Sequence, residues 1–295
     1  MGSERERERK KKEMIPSNAI SSGGSSSGGV LPYFASPSPG GAVTRAASSS
    51  SLSSSSGFAG PKSWLPTYLK RVVYYRQMDF EYTFTQMVYL LYSPSKVYKL
   101  TAWRNQTKNQ WARDDPAFTV LVCFFLGIGS VAYGISLGEG FGVGSCIRLA
   151  LLNISAFWVC GLLLSTLGWY VSNTYFRIHH SHSVEQKMEW LYAFDIHANA
   201  TFPMFVLLCV VQYLFLPFTL SNSFFATFCS NSLYAAGFSY YFYVSFLGYM
   251  YLPFLNKDQV TYLLYPIGVI AVTYVLFVVL RIHAGQLVLG IFFGS

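Results

Sequence analysis

The stretch AFTVLVCFFLGIGSVAYGISL, residues 117–137, decides the fold class of this chain. It carries no formal charge, and about twenty apolar residues match the ~30 Å hydrocarbon core of a bilayer. Four more such stretches follow, near 147–171, 199–219, 224–252 and 260–280, so five spans are expected. Upstream the character reverses: 16 of the 21 Lys and Arg lie before Pro116. Basic residues gather on the cytoplasmic side of spans. With the N-terminus inside, the cytoplasmic segments hold 19 of them, including Arg177, Lys187 and Lys257, while Arg148 and Arg281 sit at opposite span edges. Five spans then leave 283–295 as a short lumenal tail. The sequence therefore reads as an all-α, polytopic membrane protein.

Composition agrees. Hydrophobic residues make up 52% and charged residues 12%, against about 25% charged in a soluble domain. The net charge of +8 is concentrated in the N-terminal region, where anionic headgroups are the natural partner; nucleic acid is not expected. The five cysteines show no paired spacing, which indicates neither a disulfide framework nor a zinc site.

Residues 1–60 are a mixed-charge run followed by Ser, Gly and Pro, a composition expected to stay disordered as a cytoplasmic tail. No apolar signal-peptide core follows the charges, so the first span is expected to serve as its own insertion signal. Residues 61–116 carry nine Lys or Arg and four acids. There Phe80, Phe84, Val88 and Leu91 recur at helical spacing, and Ser93-Pro94 suits the start of a second helix. Lys96, Lys99 and Trp103 share a face of that helix, with Trp103 and Trp111 suited to the headgroup level. Two short amphipathic helices lying on the membrane surface are expected.

Within the spans, Ser130, Gly134 and Gly138, and Gly161 and Ser165, recur every four residues, which lets helix backbones approach in lipid. Asn153 and Asn231 are suited to bridging helices by hydrogen bonds. The fourth span holds twelve Phe or Tyr between Phe224 and Tyr251, read as packing and interfacial anchoring. No Asp, Glu, Lys or Arg falls in the middle of any predicted span, which counts against a pump or coupled transporter. The sequons at Asn105, Asn153 and Asn199 fall in the cytosol, within a span and at a membrane edge, so none is expected to carry glycan.

One segment resembles a catalytic cluster: the loop 172–198, with His179, His180, His182, Glu185, Glu189, Asp195 and His197. Clustered His and carboxylates bind zinc or iron. Asp195 and His197, however, are two apart, which sends them to opposite sides of a helix. A solvated cytoplasmic loop is the reading. No GxSxG, HExxH or P-loop occurs, so no catalytic site, metal or cofactor is expected.

Four blocks carry a family resemblance: RQMDFEY at 76–82, QTKNQWARDDPAF at 106–118, EWLYAFDIHANA at 189–200, and YVSFLGY at 243–249 with LPFL at 252–255. The chain resembles, from about residue 64 to 282 and in order, the uncoordinated-fifty (Unc-fifty) family of Golgi membrane proteins. The resemblance implies a five-span Golgi protein with a cytosolic N-terminus and a role in vesicular trafficking. It implies delivery of multi-subunit receptors to the cell surface and recruitment of a guanine-nucleotide exchange factor for Arf GTPases. RNA binding has been attributed to some members; no catalytic residue is established for the family. Because most charged groups able to confer specificity lie there, a docking face is expected from Arg76, Gln77, Asp79, Glu81, Arg104, Lys108, Trp111, Arg113, Asp114 and Asp115. Glu189, Trp190, Asp195 and His197 of the 172–198 loop are expected to complete it. The rival readings are a lipid-modifying membrane enzyme using His179–His197, an uncoupled channel lined by the fourth span, and an RNA-binding protein of the nuclear envelope using Trp103 to Trp111.

Overall fold

A computed structural model describes residues 78–137, 143–178, 186–221 and 223–293. The expected tail at 1–60, the candidate residues Arg76 and Gln77, and His179, His180, His182 and Glu185 lie outside the described residues.

Helix α1 (Phe80–Tyr92) starts where the Asp79 carboxylate accepts from the Tyr82 N–H at 3.0 Å, satisfying one of the free donors of the first turn. Helix α2 (Pro94–Lys108) opens on a proline, whose missing N–H costs nothing there, and stops at Asn109 in the left-handed region, φ 50°. Helix α3 (Ala117–Ser136) and α4 (Val143–Val171) follow, α4 continuing through a π turn at Ser172–Phe176. Helix α5 (Trp190–Phe205) contains Pro203 and runs on through a π segment, Val206–Val211, to Leu214. A proline removes one hydrogen bond from the ladder, and the wider π turns absorb the mismatch. Helix α6 (Phe224–Met250), α7 (Tyr265–Val279) and α8 (Ala284–Phe293) complete the fold.

Neighbours in sequence are neighbours in space: α3 packs on α4, α4 on α5, α5 on α6, and α6 on α7. The α1–α2 pair lies across α3, α5 and α6. Helix α5 is the axis of the core, with every residue but Trp190 and Met204 buried; α7 buries none and forms an outer wall. Contacts sort into two ends. At one, Asn173 grips the Met188 backbone in both directions (2.9 and 3.1 Å), and Tyr192 Oη donates to Gly248 O at 2.9 Å. There too Ile178 N–H donates to Phe254 O at 3.0 Å. At the other, Tyr133 Oη reaches Cys209 O at 3.2 Å, and Ser136 Oγ donates to Tyr213 Oη at 2.9 Å.

Four helical runs are long and apolar enough to cross a membrane: Ala117–Ser136, Gly144–Phe176, Trp190–Leu214 and Lys257–Val279. The chain is a nearly all-helical, multi-pass membrane protein. The expected fourth span forms α6, 27 residues long, but is not among those runs, because its many Ser, Asn and Tyr lower its mean hydropathy.

The structure corrects several expectations. The third span begins at Trp190 instead of 199, so Trp190 to His197 are not loop: Asp195 and His197 lie inside a membrane-length helix, and Glu189 is the extended residue just before it. Trp111 is buried instead of lying at the headgroup level, whereas Trp103 is 75% exposed. In α1 the face of Phe80, Phe84, Val88 and Leu91 points outward, and Met87, Leu90, Thr83 and Gln86 face the bundle. The 283–295 tail contains a helix packed back on α6. It is set up by Arg281, left-handed at φ 55°, with Ile282 N–H returning to Phe277 O at 2.9 Å. Asn231 then holds both sides of the turn, donating to Ile282 O and accepting from Ala284 N–H, each at 2.9 Å.

Candidate functional site

The connection from α2 to α3, residues 109–116, is non-helical backbone beside the end of the bundle. Its N–H groups need acceptors, because lipid offers none. Three of them, at 111–113, find acceptors 77 to 82 residues away in sequence. Glu189, at the start of α5, accepts from Trp111 N–H through one oxygen and from Ala112 N–H through the other, both at 3.1 Å. Asp195 accepts from Arg113 N–H at 2.6 Å. Three consecutive amides are thus held by two carboxylates, the charge-assisted and stronger kind of hydrogen bond.

The Arg113 side chain completes the joint. Its Nη2 donates to Asn199 Oδ1, and its guanidinium carbon lies 4.3 Å from the centre of the Phe118 ring. Asp195 and Asn199 are four residues apart, hence on one face of α5. Arg113, Asp195 and Asn199 are each no more than 5% exposed. Burial pushes the Arg113 guanidinium down from its usual value, and the Asp195 carboxylate opposes that shift. Nearby, the phenol of Tyr98 is raised by burial.

Aromatic rings wall the joint. Trp111 meets Tyr192 (5.9 Å between centres) and Phe254 (6.3 Å), and Tyr98 stacks on Tyr251 at 6.1 Å. The fit needs glycine at 248, where an added β-carbon would lie 2.7 Å from Ile196 Cγ1. Asp115 ties the start of α1 to that of α3, accepting from Asp79 N–H and Ala117 N–H at 3.0 Å each. The blocks at 106–118, 189–200 and 243–255, widely separated in sequence, form one buried polar and aromatic node beneath the α1–α2 pair.

The node divides the expected docking residues. Arg113, Asp195 and His197 are buried, as is Trp111; Glu189 and Trp190 are half-buried. None of these is a freely exposed side chain. Asp79, Glu81 and Lys108 are exposed and Arg104, Asp114 and Asp115 half-buried, with Lys108 Nζ 2.7 Å from Asp114 Oδ2. Sequence reasoning reads Asn199 only as a sequon and gives Tyr98, Tyr192 and Phe254 no role in the site. The four-residue spacing of Asp195 and Asn199 is the signal that could have shown one polar face.

His197 belongs elsewhere. Its Nδ1 lies 2.8 Å from Tyr241 Oη, and its ring stacks on Phe157 at 5.2 Å. Asp195 and His197 thus face different neighbours, as their spacing requires. Among the described residues, no group of three or more His, Cys, Asp and Glu could hold a metal ion.

Residues 68–293 match the UNC-50 family. The chain is 48% identical over 240 residues to "Protein unc-50 homolog" of Dictyostelium discoideum, covering 78% of this chain and 88% of that protein. It is 42% identical to the protein of that name from Danio rerio (71% and 80% covered). It is 41% identical to the one from Homo sapiens (70% and 78%). No solved structure matches.

Proposed function

The chain belongs to the UNC-50 family, and from that premise we propose that it is a non-enzymatic scaffold of the Golgi membrane acting in vesicle-mediated protein transport. It recruits an Arf guanine-nucleotide exchange factor to its cytosolic end and supports delivery of membrane-protein cargo to the cell surface.

The observation that carries this reading is how the charged groups are used. Glu189, Asp195 and Arg113 hold each other's segments in a buried node, which shapes a surface and leaves them unavailable to a substrate. Around the node, α2 presents Lys96, Lys99, Trp103 and Lys108 outward, and Asp79 and Glu81 are exposed at the start of α1. A mixed strip of charge with a projecting indole is suited to docking a protein. The enzyme reading loses support at Asp195 and His197, which serve separate contacts.

The orientation proposed is N-terminus cytosolic, five spans, C-terminus lumenal. Helix α6 is about 40 Å long at 1.5 Å per residue, enough to cross. It meets α5 near Gly248 at one end and the turn after α7 through Asn231 at the other, which supports its crossing beside its apolar neighbours.

Lys99→Glu combined with Lys108→Glu tests the proposal. Both side chains are exposed, so protein level should hold while exchange factor on Golgi membranes falls. Undiminished recruitment at normal protein level would refute the docking strip.

A further inference from the structure

At the depth of the spans, α3, α4, α5, α6 and α8 border a half-open cavity of about 380 Å³. Its walls include Leu126, Phe157, Phe205, Leu208, Phe238 and Leu289. No Lys, Arg, Asp or Glu lines it. Asn153 of α4 also borders it. The Asn153 amide nitrogen is engaged, donating to Ser130 Oγ at 2.8 Å and to Leu149 O at 3.4 Å. Among the described residues no protein donor meets its oxygen, Oδ1. Ser130 is also committed, since its hydroxyl proton goes to Leu126 O at 2.7 Å.

Two demands follow. An amide oxygen at membrane depth without a donor is costly. Apolar walls of this extent stay dry unless hydrocarbon fills them, so water meets the first demand and not the second. One molecule meets both: an apolar body carrying a single donor group. The uncharged lining rules against phosphate or carboxylate heads, which would be buried without a counter-charge. The volume falls within the range of small-molecule sites; at ~27 Å³ per methylene, an estimate for close-packed hydrocarbon, it holds the fused rings of a sterol or one chain of an acylglycerol, the rest of the lipid passing out of the open side into the bilayer.

We propose that this cavity binds a neutral, hydroxyl-bearing membrane lipid, its hydroxyl donating to Asn153 Oδ1 and its apolar body lying between α3, α5 and α6. Two lipid sources share this chemistry, sterols and acylglycerols. The inference stands apart from the trafficking reading, since it uses no residue of the cytosolic node.

The full chain, reconstituted in phosphatidylcholine vesicles, is irradiated with a diazirine-bearing sterol probe and, in parallel, with a diazirine-bearing diacylglycerol probe. Adduct positions are read by mass spectrometry. For at least one probe, adducts are expected within 126–133, 153–160 and 201–209, suppressed by an excess of the unlabelled parent lipid. Which probe labels decides the source. Ala156→Phe, placed in the cavity wall, should cut that labelling by at least about tenfold, the lower end of what misplaced methylenes cost in an apolar site. Asn153→Leu should weaken labelling as well, and Ile154→Phe, on the adjacent wall outside this cavity, should not. If neither probe gives competable adducts there, and label collects instead on outward residues such as Leu151, Leu163 and Val272, the proposal is overturned. Should Ala156→Phe fail to fold, parent-lipid competition on the unaltered chain still decides between these outcomes.

Discussion

Arg113→Met removes the centre of the node while keeping the length of the side chain. The Arg113 backbone N–H still reaches Asp195, but the guanidinium's bond to Asn199 and its position over Phe118 are lost. A hydrogen bond from a charged donor contributes about 1.5–3 kcal/mol, and a desolvated cation over a ring about 2 kcal/mol. Breaking a buried charge cluster by removing one partner costs about 3–5 kcal/mol, and the two bond contributions sum to the same range. At about 2–4 °C per kcal/mol for a chain of this size, the melting temperature in detergent should fall by roughly 6–20 °C. Lys108→Met is the control. Its ion pair with Asp114 is 56% and 31% exposed at the two side chains, so it is worth less than about 1 kcal/mol and the midpoint should move by only a few degrees at most. Melting curves of the purified variants, followed by tryptophan fluorescence, make the comparison. Equal midpoints for Arg113→Met and Lys108→Met would refute the node as a structural lock.

Glu189→Ala strips acceptors from two backbone amides and should destabilise by about 2–4 kcal/mol, read in the same melts; a neutral result would mean water replaces both bonds. Gly248→Val should prevent accumulation of folded protein, since its side chain enters Ile196, whereas Gly268→Ala, with nothing within 4 Å, should be tolerated; size-exclusion profiles after extraction separate them. Asn231→Leu loses both bonds that hold the turn before α8, and increased protease cleavage after residue 281 is expected, with unchanged cleavage contradicting the docked helix.

Much of the architecture was legible from hydropathy alone. The first span was expected at 117–137 and α3 is Ala117–Ser136; α6 and α7 also fall where apolar runs placed them. The bridging roles read for Asn153 and Asn231 are seen in their bonds to Ser130 and to the turn at Ile282. The start of helix α5 is not legible in hydropathy, for a physical reason. Glu189, Asp195, His197 and Asn199 look like loop residues until their partners are known, and those of Glu189 and Asp195 are backbone amides about eighty residues away. Hydropathy counts a carboxylate as seeking water; it cannot register two that share three orphaned N–H groups. The place of Trp111 is likewise hidden in the sequence, because an indole suits a headgroup layer as well as a pocket between Tyr192 and Phe254. Helix α8 is not legible in the sequence, because its ten residues are too few to span and a short apolar run says nothing about folding back.

The proposed placement of the node at the cytosolic end of five spans is open to one direct measurement. A glycosylation acceptor is fused beyond Ser295 through a flexible spacer, and another is placed in the α6–α7 connection after Lys257. If α6 crosses the bilayer, the C-terminal acceptor gains glycan and the one after Lys257 stays bare. Glycan after Lys257, or its absence at the C-terminus while a lumenal control in the α3–α4 connection is modified, would contradict the account.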